Sequence, residues 1–88
     1  MTVPAPYDLL LDERGSLCPM PIIALARASK QFPEATILLL ADDPAAVSDV
    51  PAWCTMRSRV LVWAGIANDV QGQAFLVAPA RTMSPETL

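Results

Sequence analysis

Apolar residues fall into short runs and helically spaced segments, and polar, Pro and Gly positions separate them. Residues 7–11 form a first apolar run, and residues 36–41 form an unbroken one of the kind found in central or doubly covered strands. Between them, apolar positions recur three and four residues apart over residues 19–31, which predicts a helix that Pro33 ends. Strand, helix and strand at this spacing predict a right-handed βαβ unit with parallel strands.

The first predicted helix has two different sides. At about 100° per residue, one stripe forms the expected core face, made of Ile22, Leu25, Ala26, Ser29 and Phe32. The other side carries Met20, Ile23, Arg27, Lys30 and Gln31. Met20 and Ile23 are apolar although they lie off the main stripe. They are therefore either additional core or part of an exposed patch next to position 18.

A second helix is predicted over residues 45–56. Asp43 is a suitable N-cap, and Pro44 suits the first helical position because its fixed φ is already helical. Pro51 lies inside this segment and is expected to kink the helix or split it into two pieces. Asp42 and Asp43 are expected to cap this helix rather than bind a metal, since a hard cation needs more oxygen ligands.

Two further apolar runs predict a closing hairpin. Residues 59–67 and 73–78 read as antiparallel strands, joined by a turn at 68–72. The order β-α-β-α-β-β has too few helices to cover both faces of a sheet. It predicts a two-layer α/β sandwich, with both helices on one face of a four-stranded mixed sheet. We expect one domain over residues 1–80 and a polar C-terminal tail at 81–88.

Composition narrows the function classes. The 88 residues are 53% hydrophobic and 17% charged, which suits one small folded domain. Two cysteines and no histidine cannot supply a four-ligand zinc site or a Cys-His pair, so no metal or cofactor is expected. A formal charge of −3 without a basic run argues against direct nucleic-acid binding. No membrane span or signal peptide is apparent, so we expect a cytoplasmic location with reduced thiols.

The stretch Leu17-Cys18-Pro19-Met20-Pro21 carries the candidate chemistry. Proline suits a first helical turn because its missing N–H would be unpaired there. The expected N-cap, N1, N2 and N3 residues are therefore Cys18, Pro19, Met20 and Pro21. The helix dipole and the Met20 N–H would then lower the Cys18 pKa below its ordinary value of about 8.5. From these residues alone, Cys18 is either a reactive thiol or a small residue that caps a helix.

Two motifs with matching separation extend this interpretation. The first is Asp12-Glu13-Arg14-Gly15-Ser16-Leu17-Cys18-Pro19-Met20-Pro21, which fits the pattern Asp-x-x-Gly-x-x-Cys-Pro-x-Pro. The second is Ala41-Asp42-Asp43-Pro44-Ala45. With these motifs and this element order, the chain resembles the TusA/SirA-like family of small sulfur-carrier proteins over about residues 9–78.

The resemblance implies that Cys18 receives sulfane sulfur as a persulfide and hands it on. Donors in such a family are cysteine desulfurases or rhodanese-like proteins, and acceptors serve tRNA thiolation, molybdoenzyme maturation or sulfur oxidation. The protein would be a carrier more than a turnover enzyme, although "sulfurtransferase" is a fair label. The first helix has only two basic residues, Arg27 and Lys30. This makes tRNA thiolation a weaker candidate among the acceptor pathways.

The remaining candidate residues have supporting roles in this interpretation. Asp12 and Gly15 are expected to shape the loop before Cys18. The side of the first helix next to the thiol is expected to dock partner proteins, through Met20, Ile23, Arg27 and Lys30. Cys54 is expected to pack as a small hydrophobe.

Two alternatives stay open. The chain is either a sulfur carrier or a non-catalytic interaction or regulatory module with the same fold. A dithiol redox protein that uses Cys18 and Cys54 ranks last, because the two cysteines are not in a Cys-x-x-Cys arrangement.

Overall fold

The computed structural model describes residues 6–17, 19–66 and 72–79. Its elements in chain order are β1 (Leu9–Asp12), α1 (Met20–Gln31), β2 (Ile37–Ala41), α2 (Ala46–Met56), β3 (Val60–Gly65) and β4 (Gln73–Ala78). This order confirms the predicted β-α-β-α-β-β succession. The predicted tail at 81–88 and most of the predicted turn at 68–72 lie outside the described residues.

The four strands form one mixed sheet in the order β1-β2-β4-β3. β1 and β2 are parallel, with Leu9 opposite Ile37, as a βαβ unit requires. β4 pairs antiparallel with both β2 and β3, and the β3–β4 register shifts between Leu61 and Trp63. β2 and β4 are the central strands. Every residue of β2 is buried, which explains its unbroken apolar sequence.

Both helices pack on the same face of the sheet, as predicted. The buried cluster on this face includes Leu25 of α1, Val50 of α2 and Phe75 of β4. Alternate residues of each strand face the opposite side, where a second cluster buries Leu38, Leu40, Ala74 and Leu76, with Trp63 packed against it. The molecule is therefore a two-layer α/β sandwich.

The start of α1 differs from the prediction by one residue. Pro19, not Cys18, is the N-cap (φ −101°, ψ 21°), and Met20 is the first helical residue. The Met20 N–H donates to the carbonyl oxygen of Leu17 at 2.8 Å, which closes a turn ahead of the helix. The Ile23 N–H then donates to the Pro19 carbonyl oxygen at 3.0 Å, so the helical ladder begins there.

The core face of α1 is confirmed except at its end. Leu25 and Ser29 are buried, and Ala28 is buried with them. Phe32 was expected in the core but is 45% exposed. The helix ends at Gln31, and Phe32 leaves the helical path (φ −129°, ψ 74°), so its side chain no longer follows the buried stripe.

α2 runs unbroken from Ala46 to Met56 with Pro51 inside it, so of the two predicted effects of Pro51, a kink or a split, the split is wrong. Pro51 removes the N–H that would bond to the turn before it, but Val50, Trp53 and Cys54 around it are buried against the sheet and hold the helix together. The N-cap of α2 is Ala45, so the prediction of Asp43 as the N-cap is wrong, and Asp43 lies before the helix. Its Oδ1 accepts the Ala45 N–H at 3.0 Å and caps the turn that leads into α2.

Candidate functional site

The entrance to α1 presents an exposed apolar surface. Leu17 is 74% exposed, Met20 49% and Ile23 36%. Met20 and Ile23 are therefore surface residues and not additional core. Cys18 itself lies outside the described residues, so its expected reactivity and lowered pKa stay predictions. The helix dipole and the Met20 N–H were both expected to lower this pKa. The Met20 N–H instead donates to the Leu17 carbonyl oxygen.

An ion pair stiffens the loop that leads to this entrance. The Arg14 guanidinium donates to Asp12 from Nη2 to Oδ2 at 2.6 Å and from Nε to Oδ1 at 2.8 Å. The Arg14 backbone N–H also donates to Oδ1, at 3.2 Å. This fork-to-fork geometry is the strong form of an arginine–carboxylate pair. The hydrogen bonds from Arg14 hold the pKa of Asp12 at about 2.

The low pKa of Asp12 gives a testable pH dependence. Its unfolded value is about 3.9, so the ion pair's contribution is fully present above that pH. It is expected to be lost as the pH falls from there through about 2. An NMR titration of the Asp12 carboxyl carbon should show a midpoint near 2. Arg14→Gln should move that midpoint up toward the unfolded value. An ordinary midpoint in the wild type would mean that the pair does not form in solution.

A second carboxylate fixes the same loop from a distance. The Gly15 N–H lies between the two oxygens of Asp42, at 2.9 and 3.1 Å. Asp42 follows β2, and β1 and β2 are parallel, so their carboxyl ends meet at one edge of the sheet. Sequence reasoning gave Asp42 only a capping role. The predicted parallel pairing of β1 and β2 could have placed Asp42 beside the loop after β1, because the carboxyl ends of parallel strands lie at the same edge.

Two further carboxylates lie near the first turn of α1. Asp43 and Asp49 line a small gap with Pro21, Ile22 and Ala46, which places the start of α2 beside the start of α1.

Cys54 has the surroundings of a structural thiol. It is 2% exposed and belongs to the helix-face cluster. Burial raises the pKa of the Cys54 thiol, and the charge of Arg59 only partly offsets this effect. A buried thiol with a raised pKa is a poor nucleophile. The environment fits the packing role expected from the sequence.

A metal site requires several ligating side chains close together, and a membrane span requires a long apolar helix. Within residues 6–17, 19–66 and 72–79, no three Cys, Asp or Glu side chains are placed to hold a metal ion together. Neither helix in this part of the chain has the length and apolar character needed to cross a bilayer.

The predicted docking residues share one exposed side of α1. Met20 and Ile23 lie in its first turns, and Arg27 and Lys30 lie in its second half, all exposed. The structure thus combines a fixed loop, an apolar helix entrance and a basic end on one helix.

The protein is a small open α/β sandwich, with a mixed four-stranded sheet and both helices on one face. A fixed loop leads into the first helix, and the candidate site lies at that helix entrance. The family model for sulfurtransferase TusA matches residues 10–70. The chain therefore belongs to the TusA family, which confirms the resemblance. Members of this family act as sulfur carriers in sulfur relay with partner proteins.

Proposed function

We propose that this protein carries sulfane sulfur as a persulfide on Cys18. The observation that supports this most is the position of Cys18 in a Cys-Pro-x-Pro motif, within the segment that matches the TusA family. The loop before it is fixed by the Asp12–Arg14 ion pair and by Asp42 ahead of the start of α1. A fixed loop suits a carrier whose partners must reach the motif.

The transfer needs no cofactor and no oxidant. The Cys18 thiolate attacks the outer sulfur of a donor protein's persulfide, and a new S–S bond forms. The donor's own S–S bond breaks, and the donor cysteine leaves as a thiolate. The proton of the outer sulfur stays on the transferred sulfur, so Cys18 becomes Cys–S–SH. An acceptor thiolate then attacks that outer sulfur in the same way, and Cys18 returns as a thiolate.

The exposed side of α1 is proposed as the docking surface for both partners. The donor is a cysteine desulfurase or a rhodanese-like protein, and the acceptor is a second protein thiol. Met20 within the motif and Ile23 just after it supply apolar area, and Arg27 and Lys30 supply charge at the far end of the helix. A small apolar contact with a charged rim suits a transient interface. The charges steer the encounter, and the small contact area lets the partner dissociate.

The proposed setting is the cytoplasm, because a carrier thiol must remain reduced between transfers. The protein is not proposed to bind nucleic acid itself, since its formal charge is −3.

Persulfide loading tests the proposal. Incubation with a cysteine desulfurase and cysteine, or with a rhodanese-like donor, should add the mass of one sulfur atom to the wild type in intact-protein mass spectrometry. Cys54→Ala should load equally, because Cys54 is buried. Cys18→Ser should gain nothing. Reducing agent should remove the added mass.

The alternative, a non-catalytic module of the same fold, predicts no loading in any variant. Equal loading of Cys18→Ser and the wild type would refute the assignment of Cys18. Circular dichroism of each variant shows whether a loss of loading reflects unfolding instead.

A further inference from the structure

A basic cleft lies between the C-terminal halves of the two helices. Its volume is about 430 Å³, and it is lined by Ala26, Arg27, Ser29, Lys30, Trp53, Arg57 and Arg59. Four of the chain's six basic residues therefore meet here, in a protein whose formal charge is −3. No carboxylate is among the described residues that line it. The cleft concentrates positive charge that the rest of the molecule lacks.

Two residues that line this cleft each carry a buried polar group without a hydrogen-bond partner in the described part of the chain. These groups are the Ser29 hydroxyl and the indole N–H of Trp53. Both residues line the cleft, and they are only 5% and 6% exposed. Buried polar groups in native proteins are nearly always paired. Two unpaired polar groups on residues that line one basic cleft add to the case for an acceptor in it.

Arg59 shows that part of the positive charge has a structural role. Its Nη2 donates to the Ser29 carbonyl oxygen at 3.0 Å, and its Nη1 donates to the Pro33 carbonyl oxygen at 3.3 Å. These bonds tie Arg59 to the end of α1, where the helix dipole favours a cation. Arg27, Lys30 and Arg57 form no ion pair among the described residues. Their charge remains available to a ligand, and it outweighs the partial negative charge of the two helix ends.

We propose that this cleft binds a small molecule through a tetrahedral oxyanion, a phosphate or sulfate group. Arginine forks match the oxygens of such groups, and a doubly charged anion suits several cations without a counter-charge better than a single carboxylate does. The volume exceeds that of a free ion and falls in the range of small-molecule sites.

The cleft is separate from the Cys-Pro-x-Pro motif, although Arg27 and Lys30 belong both to the cleft and to the proposed docking surface. Arg27 and Lys30 lie seven and ten residues after the first residue of α1, or about 10 to 15 Å along the helix. The proposal rests on the cleft alone and stands or falls independently of persulfide transfer.

The two tryptophans make a direct test possible, because Trp53 lines the cleft and Trp63 packs on the opposite face of the sheet. We would titrate ¹⁵N-labelled protein with inorganic phosphate, inorganic sulfate and ribose 5-phosphate, and follow both indole N–H signals. The expected result is a saturable shift of the Trp53 signal while the Trp63 signal stays in place. Tighter binding of ribose 5-phosphate than of the free ions would indicate a phosphate ester as the ligand, and the reverse would indicate a free ion. Either result supports the site.

Variants assign the binding to the cleft. Arg57→Gln should weaken phosphate binding about tenfold or more, as expected for loss of a charged hydrogen bond. Ser29→Ala, which removes the unpaired hydroxyl, should also weaken it. Arg14→Gln is the matched control: it makes the same change on the loop after β1, and it should leave the affinity within about twofold.

Three results would overturn the proposal. One is a shift that grows linearly with no saturation. Another is an equal shift produced by chloride at the same ionic strength, which would mean general screening. The third is unchanged affinity in Arg57→Gln and Ser29→Ala, with both variants folded by circular dichroism.

Discussion

Replacing Arg27 and Lys30 together by Glu is expected to slow protein-to-protein sulfur transfer by about tenfold or more, without unfolding the domain. Both residues are exposed on α1, and neither belongs to the buried clusters. Reversing them changes a basic helix end to an acidic one and removes the long-range attraction that steers a partner toward the apolar helix entrance. The measurement is the rate of persulfide transfer from a loaded donor protein at low and at physiological salt.

Loading by a small persulfide donor separates docking from chemistry. This reaction needs no protein surface, so its rate should be little changed in the double variant. Arg27 and Lys30 also line the basic cleft, so Arg57→Glu serves as a control that alters the cleft while leaving the exposed side of α1 intact. Phosphate-free buffer keeps the two effects apart. If protein-to-protein transfer is unaffected in the double variant, partners dock elsewhere, and the loop at residues 12–17 is the next surface to test.

Gly72→Ala is expected to lower the free energy of unfolding by about 3 kcal/mol, which for a domain of this size lowers Tm by about 15 °C. Gly72 has φ +93°, where an L side chain is strained. An added Cβ would also lie 2.7 Å from the carbonyl oxygen of Ala41 and 3.1 Å from Cβ of Asp42. Neither contact is with the far end of a flexible side chain, so the strands must shift. Urea denaturation measures the loss.

Gly15→Ala is the matched control, since Gly15 has a similar φ of +89° but nothing within 4 Å of an added Cβ. It should lose only the conformational part, about 1 to 2 kcal/mol. Equal losses in the two variants would mean that the backbone near Ala41 relaxes around the new methyl group. Gly72→Ala should also disturb the Gly15–Asp42 contact, because the added atom presses on Asp42. A shifted Gly15 amide signal would report that change.

Local patterns in the sequence determined the elements of this protein. The unbroken apolar run predicted β2 as a central or doubly covered strand, and β2 is central and fully buried. The three- and four-residue spacing placed the core face of α1, and the hairpin strand β4 has the predicted bounds, Gln73–Ala78. These features depend on side-chain periodicity over a few neighbouring residues, which the sequence displays directly. The Cys-Pro-x-Pro motif likewise located the candidate site without any structure.

Helix ends depended on single hydrogen bonds that periodicity does not encode. The Met20 N–H bonds to Leu17, which moved the N-cap from Cys18 to Pro19. Phe32 left the predicted core stripe because the helix stops one residue before it. In the second helix, burial of the residues around Pro51 outweighed the lost backbone bond, so tertiary packing overrode local propensity.

Only the tertiary structure decided which distant residues meet. Asp42 reaches Gly15 across 27 positions because β1 and β2 are parallel neighbours. Arg27 and Lys30 of α1 join Arg57 and Arg59, which follow α2, because both helices pack side by side on one face of the sheet. Along the chain these cations are scattered and predict no basic site. Whether cations form a basic site depends on how far apart they lie in space. The packing of both helices against one sheet sets that separation.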